Sequence, residues 1–204
     1  MDLLVKICGV TTAKDAAMAA ELGADAIGIN LWPRSKRYAD PAAAAAIVAA
    51  IPAGVLKVGV FVNETAETVA RHLDELRLDR AQLHGDERAA DFAALDPGRL
   101  IRVVRARDAA SFDDAAGWTP SLWMYDAFVE GFGGAGVTAP WALVARHARR
   151  PFLLAGGLSP ENVAEAIRAT RPDGVDVASG VERAPGVKDP AKVAAFIAAA
   201  RTAI

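Results

Sequence analysis

A chain of 204 residues, 53% of them hydrophobic, carries enough apolar material for one sizeable core and has the length of a single domain. Its 23 basic and 25 acidic side chains nearly cancel, which excludes the strongly basic surface of a nucleic-acid binder or of a protein held to an anionic membrane. A single cysteine, Cys8, excludes an intrachain disulfide framework and suits a reducing compartment, so a cytoplasmic protein is expected.

The N-terminus enters a strand-like run over residues 3–8 with no basic leader before it, so no targeting segment is expected. The following helix, over residues 12–22, repeats Ala13, Ala16, Ala17 and Ala20 at helical spacing. Thr12 and Asp15 have capping-box spacing, and Gly23 ends it. A second strand, residues 26–30, leads through a basic loop to a helix opened by Asp40-Pro41, with Ala44, Ile47, Val48 and Ile51 as its inward stripe. The apolar run over 42–51 stops at Pro52, well short of the roughly 18 residues that a membrane span needs. Strand three, residues 55–62, is apolar almost throughout, as when both faces are covered, and its helix turns Val69, Leu73 and Leu76 inward.

Further strands are expected at 81–83, 100–105, 122–125, 152–155 and 175–178, with helical stretches between them. Ser159-Pro160-Glu161 opens the seventh helix, and Asp189-Pro190 the last, whose apolar face is Val193, Phe196, Ile197 and Ala200. Repeated βα units numbering about eight close a single (β/α)8 TIM barrel over residues 1–204. An open doubly wound sheet uses the same local patterns, but its dinucleotide-binding version needs a glycine triplet where this chain has Cys8-Gly9-Val10-Thr11.

In such a barrel the chemistry sits at the carboxyl ends of the strands, where Cys8, Gln82, His84, Arg105, Asp126, Gly156, Ser179 and Gly180 fall. Gly156-Gly157 and Ser179-Gly180 follow strands seven and eight, the loop pair that commonly binds phosphate, and residues 131–136 add a third glycine turn. Cys8 becomes a usable base only if a nearby positive charge, from Lys6 or Arg37, lowers its pKa; otherwise it is a small buried hydrophobe. Asp126 ends an apolar strand, so burial would keep it protonated as an acid, unless it serves as a cap or salt-bridge partner. Gln82 and His84 point to one side of strand four. Arg37, in a basic loop, suits bidentate carboxylate recognition or is simply solvated. One cysteine and three scattered histidines lack metal-ligand spacing, so no metal is expected.

Together these segments resemble phosphoribosylanthranilate isomerases over essentially the whole chain. The motifs are Lys6-Ile7-Cys8-Gly9-Val10-Thr11, Ser35-Lys36-Arg37-Tyr38, Gln82-Leu83-His84-Gly85, Gly133-Gly134-Ala135-Gly136, Ala155-Gly156-Gly157-Leu158, Ser179-Gly180-Val181-Glu182 and Pro185-Gly186-Val187-Lys188-Asp189. The resemblance implies a cofactor-free Amadori rearrangement of N-(5-phosphoribosyl)anthranilate to 1-(2-carboxyphenylamino)-1-deoxyribulose 5-phosphate. It implies that Asp126 is the general acid, Cys8 the general base, and Arg37 the anchor of the anthranilate carboxylate. Gln82, His84 and Asp176 would contact the rest of the substrate, Asp176 at the sugar hydroxyls. Gly133, Gly134, Gly136, Gly156, Gly157, Ser179 and Gly180 would hold its phosphate. Ala135, and Ala139 before Pro140-Trp141, depart from residues common in the family, and the assembly expected is a monomer or homodimer.

Overall fold

The computed structural model describes residues 3–128 and 138–203. Eight parallel strands close into a barrel in chain order: β1 (Leu4–Cys8), β2 (Ala26–Asn30), β3 (Leu56–Phe61), β4 (Arg80–Leu83), β5 (Leu100–Ala106), β6 (Leu122–Ala127), β7 (Phe152–Leu154) and β8 (Gly174–Val177). Strand β8 pairs with β1 through Leu4↔Gly174 to Ile7↔Val177, which completes the ring and excludes the open sheet. The expected strands are all present within a residue or two of their sequence bounds.

Alternation along each strand sorts the side chains into two layers. Val5, Ile7, Ile27, Ile29, Val175 and Val177 face outward into the main core, against the helices. Ala26, Val58, Ile101, Val103, Met124, Leu153 and Ala155 fill the barrel interior, with Leu4, Leu56 and Leu122 against them. On β1 the inward parity that begins at Leu4 continues to Lys6 and Cys8, and on β6 the parity of Leu122 and Met124 continues to Asp126. Apolar packing therefore gives way to ionisable groups along the same rows, toward the carboxyl end of the barrel.

Helices α1 (Ala13–Glu21), α2 (Pro41–Ala50), α3 (Ala66–Glu75), α4 (Trp141–His147), α5 (Val163–Thr170) and α6 (Pro190–Arg201) cover the outside. Thr12, Asp40 and Asp189 cap α1, α2 and α6 through side-chain oxygens, as expected. Two expectations shift. Ser159-Pro160-Glu161 forms a lead-in turn, and α5 starts only at Val163. The inward face of α1 is Ala16 and Ala19.

After β4 and β5 the intervening helical stretches are short 3-10 turns, at Ala89–Phe92, Pro97–Arg99 and Ala109–Ala115. There the outward-facing Arg102 is covered by Glu87, at 2.7 Å, and by the Trp118 ring, 5.1 Å from its guanidinium carbon. At the opposite, amino end, an aspartate precedes each of β2, β4 and β8 and takes a backbone N–H of the strand before it. Asp25 accepts from Val5, Asp79 from Lys57 and Asp173 from Phe152, at 2.7–2.9 Å. This repeat supports the fold at the face away from the chemistry. Among the described residues, no helix is long and apolar enough to cross a membrane.

Candidate active site

Cys8 ends β1 inside the barrel with Lys6 one inward position behind it. Lys6 is fully buried and donates to Asp176 on β8 at 2.6 Å. The side chains of Lys6 and Cys8 converge on Gly28 of β2, where a Cβ would lie 2.7 Å from Cys8 Sγ and 2.9 Å from Lys6 Nζ. Glycine there is a requirement of space, not of backbone conformation.

Burial by itself would lower the Lys6 pKa, but Asp176, aided by Cys8, outweighs it and pushes the ammonium up to about 12. For Cys8 the result runs against the sequence expectation. Burial first, and then the Asp176 carboxylate, push the thiol above its ordinary value, while Lys6 and Lys188 pull the other way without cancelling the rise. The free site therefore holds a thiol with cations close by.

Arg37 reaches the same side from the loop after β2. Its Nε and Nη2 donate side by side to Glu182 at 2.8 and 2.7 Å. Glu182 also accepts from Lys188 Nζ at 2.8 Å, and Lys188 donates on to Ala178 O at 3.2 Å. Burial would raise the Glu182 pKa, but Arg37 and Lys188 outweigh it and hold the carboxyl low, whereas burial lowers that of Lys188 despite the carboxylate. Glu182 opens a small hairpin, β9 (Glu182–Ala184) with β10 (Val187–Lys188), that the strand patterns did not show. Pro185-Gly186 is its one turn signal in the sequence, and nothing in the spacing of Glu182 and Lys188 marks them as functional.

Across the mouth, Asp126 on β6 accepts the N–H of Ala127 at 2.7 Å, and its Oδ2 lies 3.3 Å from His84 Nε2. That histidine contact is close but lacks hydrogen-bond alignment. His84 Nδ1 in turn lies 3.1 Å from Gln82 Nε2. Gln82 and His84 share one face as expected, yet they meet each other and, through His84, the acid candidate. Asp176 likewise has a protein partner in Lys6, which uses its Oδ1.

The β7 turn lies against the acid side. Gly156 has φ +85°, and a Cβ there would lie 2.5 Å from Ala127 N and 2.8 Å from Asp126 Oδ1. Asn162 braces this turn, donating to Gly157 O at 2.9 Å and accepting from Ser159 N at 2.8 Å. Ser179 and Gly180 begin a 3-10 turn directly after β8. Gly133, Gly134 and Gly136, with Ala135, lie outside the described residues. Ala139 donates its N–H to Gly156 O at 3.4 Å, and α4 begins after it without a side-chain cap. No cluster of potential metal ligands occurs among the described residues.

This arrangement brings a thiol, a carboxyl group, an arginine and two glycine turns to one barrel mouth, and known proteins are similar to the chain over nearly its whole length. The family described as N-(5'-phosphoribosyl)anthranilate (PRA) isomerase matches residues 5–199. The N-(5'-phosphoribosyl)anthranilate isomerase of Geotalea uraniireducens is 46% identical over 200 residues, covering 97% of this chain and 98% of that protein. The crystal structure of phosphoribosyl anthranilate isomerase from Thermotoga maritima superposes with a TM-score of 0.89 at 37% identity, covering 98% of this chain and 99% of that one. A phosphoribosyl anthranilate isomerase crystallised with reduced 1-(o-carboxyphenylamino)-1-deoxyribulose 5-phosphate gives 0.84 at 36%, with coverage of 98% and 99%. The chain belongs to the N-(5'-phosphoribosyl)anthranilate isomerase family, the isomerases of tryptophan biosynthesis.

Proposed function

We propose that this chain rearranges N-(5-phosphoribosyl)anthranilate by proton transfers, with Asp126 as general acid and Cys8 as general base. Asp126 gives its proton to the furanose ring oxygen; the bond from that oxygen to carbon 1 breaks, and a protonated Schiff base forms between carbon 1 and the anthranilate nitrogen. Cys8, as thiolate, takes the proton from carbon 2, and its electron pair moves into the carbon 1–carbon 2 bond to give the enolamine. Proton gain at carbon 1 and proton loss from the 2-hydroxyl then yield the ketone. Cys8 gives its own proton to solvent as the Schiff base forms and is restored to the thiol by the proton from carbon 2, while solvent returns a proton to Asp126, so no net proton is consumed.

The observation that carries this reading is the placement of Cys8 and Asp126 at the carboxyl ends of β1 and β6 of one closed barrel, each with an inward-facing partner behind or beside it. The raised pKa of the resting Cys8 thiol fits a base called upon late. The Schiff base brings a positive charge into the site one step before Cys8 acts, and that charge adds to Lys6 in favouring the thiolate. Arg37 holds the anthranilate carboxylate; the turns at Gly156-Gly157 and Ser179-Gly180, with Gly133, Gly134 and Gly136, hold the phosphate. His84, steadied by Gln82, orients Asp126. Asp176 holds Lys6 through Oδ1, so a sugar hydroxyl would meet its Oδ2.

The test is turnover in D2O, followed by loss of substrate fluorescence with the unstable substrate generated in situ. Base-mediated transfer predicts solvent deuterium at carbon 1 of the product. A product formed with no solvent deuterium, and with full retention of label from a 2-deuterated substrate, contradicts it and favours a direct hydride shift.

A further inference from the structure

The contacts around Arg37 extend beyond anything its proposed role requires. A guanidinium presents its five N–H groups in a fixed planar fork. Glu182 occupies one edge of that fork, Nε with Nη2, which leaves Nη1 and the second Nη2 hydrogen for another acceptor. Glu182 is itself held. Lys188 Nζ donates to its Oε1, and Lys192 Nζ donates to its main-chain oxygen at 2.9 Å. The hairpin that carries both Glu182 and Lys188 is pinned to the α1 side through Thr11 Oγ1 to Gly186 O at 2.6 Å and Lys188 N to Asp15 Oδ2 at 3.3 Å. Lys188 Nζ also reaches Ala178 O, immediately before the turn at Ser179-Gly180.

The charges make the same point. Arg37, Glu182 and Lys188 are two cations and one anion, and the Glu182 and Lys188 side chains are 5% and 0% exposed. Burying such groups is costly, and a hydrophobic replacement is often no less stable, so stability alone gives little reason for the cluster. Its surplus of one positive charge is balanced when an anion meets the open edge of Arg37.

We propose that Glu182 is the positioning residue of the carboxylate subsite: it fixes Arg37 so that its open edge selects substrates bearing a ring carboxylate, while Lys188 holds Glu182 and ties it to the β8 turn. This rests on the reading of Arg37 as the carboxylate anchor. The discriminating measurement is calorimetric affinity for two stable ligands, reduced 1-(o-carboxyphenylamino)-1-deoxyribulose 5-phosphate and its counterpart without the ring carboxylate. Glu182→Gln should weaken the first about tenfold and leave the second within about twofold, with KM rising in parallel and kcat falling less. Glu182→Gln with Lys188→Met removes both buried partners and keeps the fold testable if the single variant is unstable. It should show the same selective loss, because Arg37 is still unheld.

Three results would overturn the proposal: wild-type affinities in Glu182→Gln, equal weakening of both ligands, or recovery of the wild-type preference in the double variant. The last would make Glu182 only the counter-ion of Lys188. Arg37→Ala separates the two readings. If it keeps the preference for the carboxylate ligand, the anchor role itself fails; if it loses the preference while Glu182→Gln keeps it, only the present inference fails.

Discussion

The two sides of the barrel mouth are built on different electrostatics. Around Cys8, the β1, β2 and β8 side collects two sets of hydrogen-bonded ion pairs of 2.6–2.8 Å, Lys6 with Asp176 and Arg37 with Glu182 and Lys188. Around Asp126, the β4 and β6 side offers the Ala127 N–H, His84 and, behind it, Gln82. Arg105, the register partner of Asp126 on β5, is paired with Asp86. A buried group that must become an anion during the reaction needs fixed cations within reach. A group that must deliver a proton to one substrate oxygen needs contacts that orient it, and the acid side offers a backbone N–H and a histidine ring for this.

The largest expected effect comes from breaking the acid side. Asp126→Asn keeps the shape and removes the transferable proton, so kcat should fall by a factor of about 100 to 10,000. The reduced product analogue should still bind, which calorimetry on the same preparation would check. On the base side, Arg37→Ala removes a charge-assisted contact made in both ground and transition states, worth about 1.5–3 kcal/mol. KM should rise roughly ten- to hundredfold with kcat changed far less; unchanged kinetics would return Arg37 to a solvated loop.

A steric probe sharpens the contrast. Gly28→Ala places a methyl group 2.7 Å from Cys8 Sγ and 2.9 Å from Lys6 Nζ, deep in the charged side. Overpacking of this kind costs about 1–3 kcal/mol, and the thermal midpoint should drop together with turnover. The smallest effect is on alkaline stability. The folded Lys6 pKa of about 12 is above its ordinary 10.5, so its stabilisation is complete below 10.5 and is lost as pH rises through 12. The raised Cys8 pKa acts in the same direction from its ordinary 9.0 upward, since the unfolded thiol ionises first, while the lowered pKa of Lys188 opposes both. Urea midpoints should therefore fall less steeply above pH 9 in Cys8→Ser than in the wild type. Parallel curves would remove the coupling of Cys8 to folding.

The barrel was legible because its signals are local. Alternation and boundary residues such as Asp40-Pro41 and Asp189-Pro190 mark strands and helices wherever the chain goes afterwards. Residues at strand ends, Cys8 and Asp126 among them, could be placed once eight strands were counted. What pairs with what was not legible, since it depends on contacts between distant parts of the chain. Lys6 meets Asp176 across the β1–β8 closure, 170 positions apart, and Arg37 meets Glu182 across 145. Lys6 is legible as a possible cation for Cys8, but its carboxylate partner is not. The upward shift of the Cys8 pKa could not be read either, because it is the balance of burial and Asp176 against Lys6 and Lys188, four influences whose distances no sequence pattern gives.

Cys8 as the base is the central element of the mechanism. Serine is nearly the size of cysteine but far less acidic, so Cys8→Ser tests the thiolate without reshaping the site. Single-turnover decay of substrate fluorescence, with enzyme in excess and the substrate formed in situ, isolates the chemical step from product release. A thiolate base predicts a rate lower by a factor of about 100 to 10,000, with affinity for the reduced product analogue within about threefold of the wild type. A folded Cys8→Ser enzyme that converts substrate at the wild-type rate in that assay would contradict it and leave Cys8 a packing residue at the end of β1.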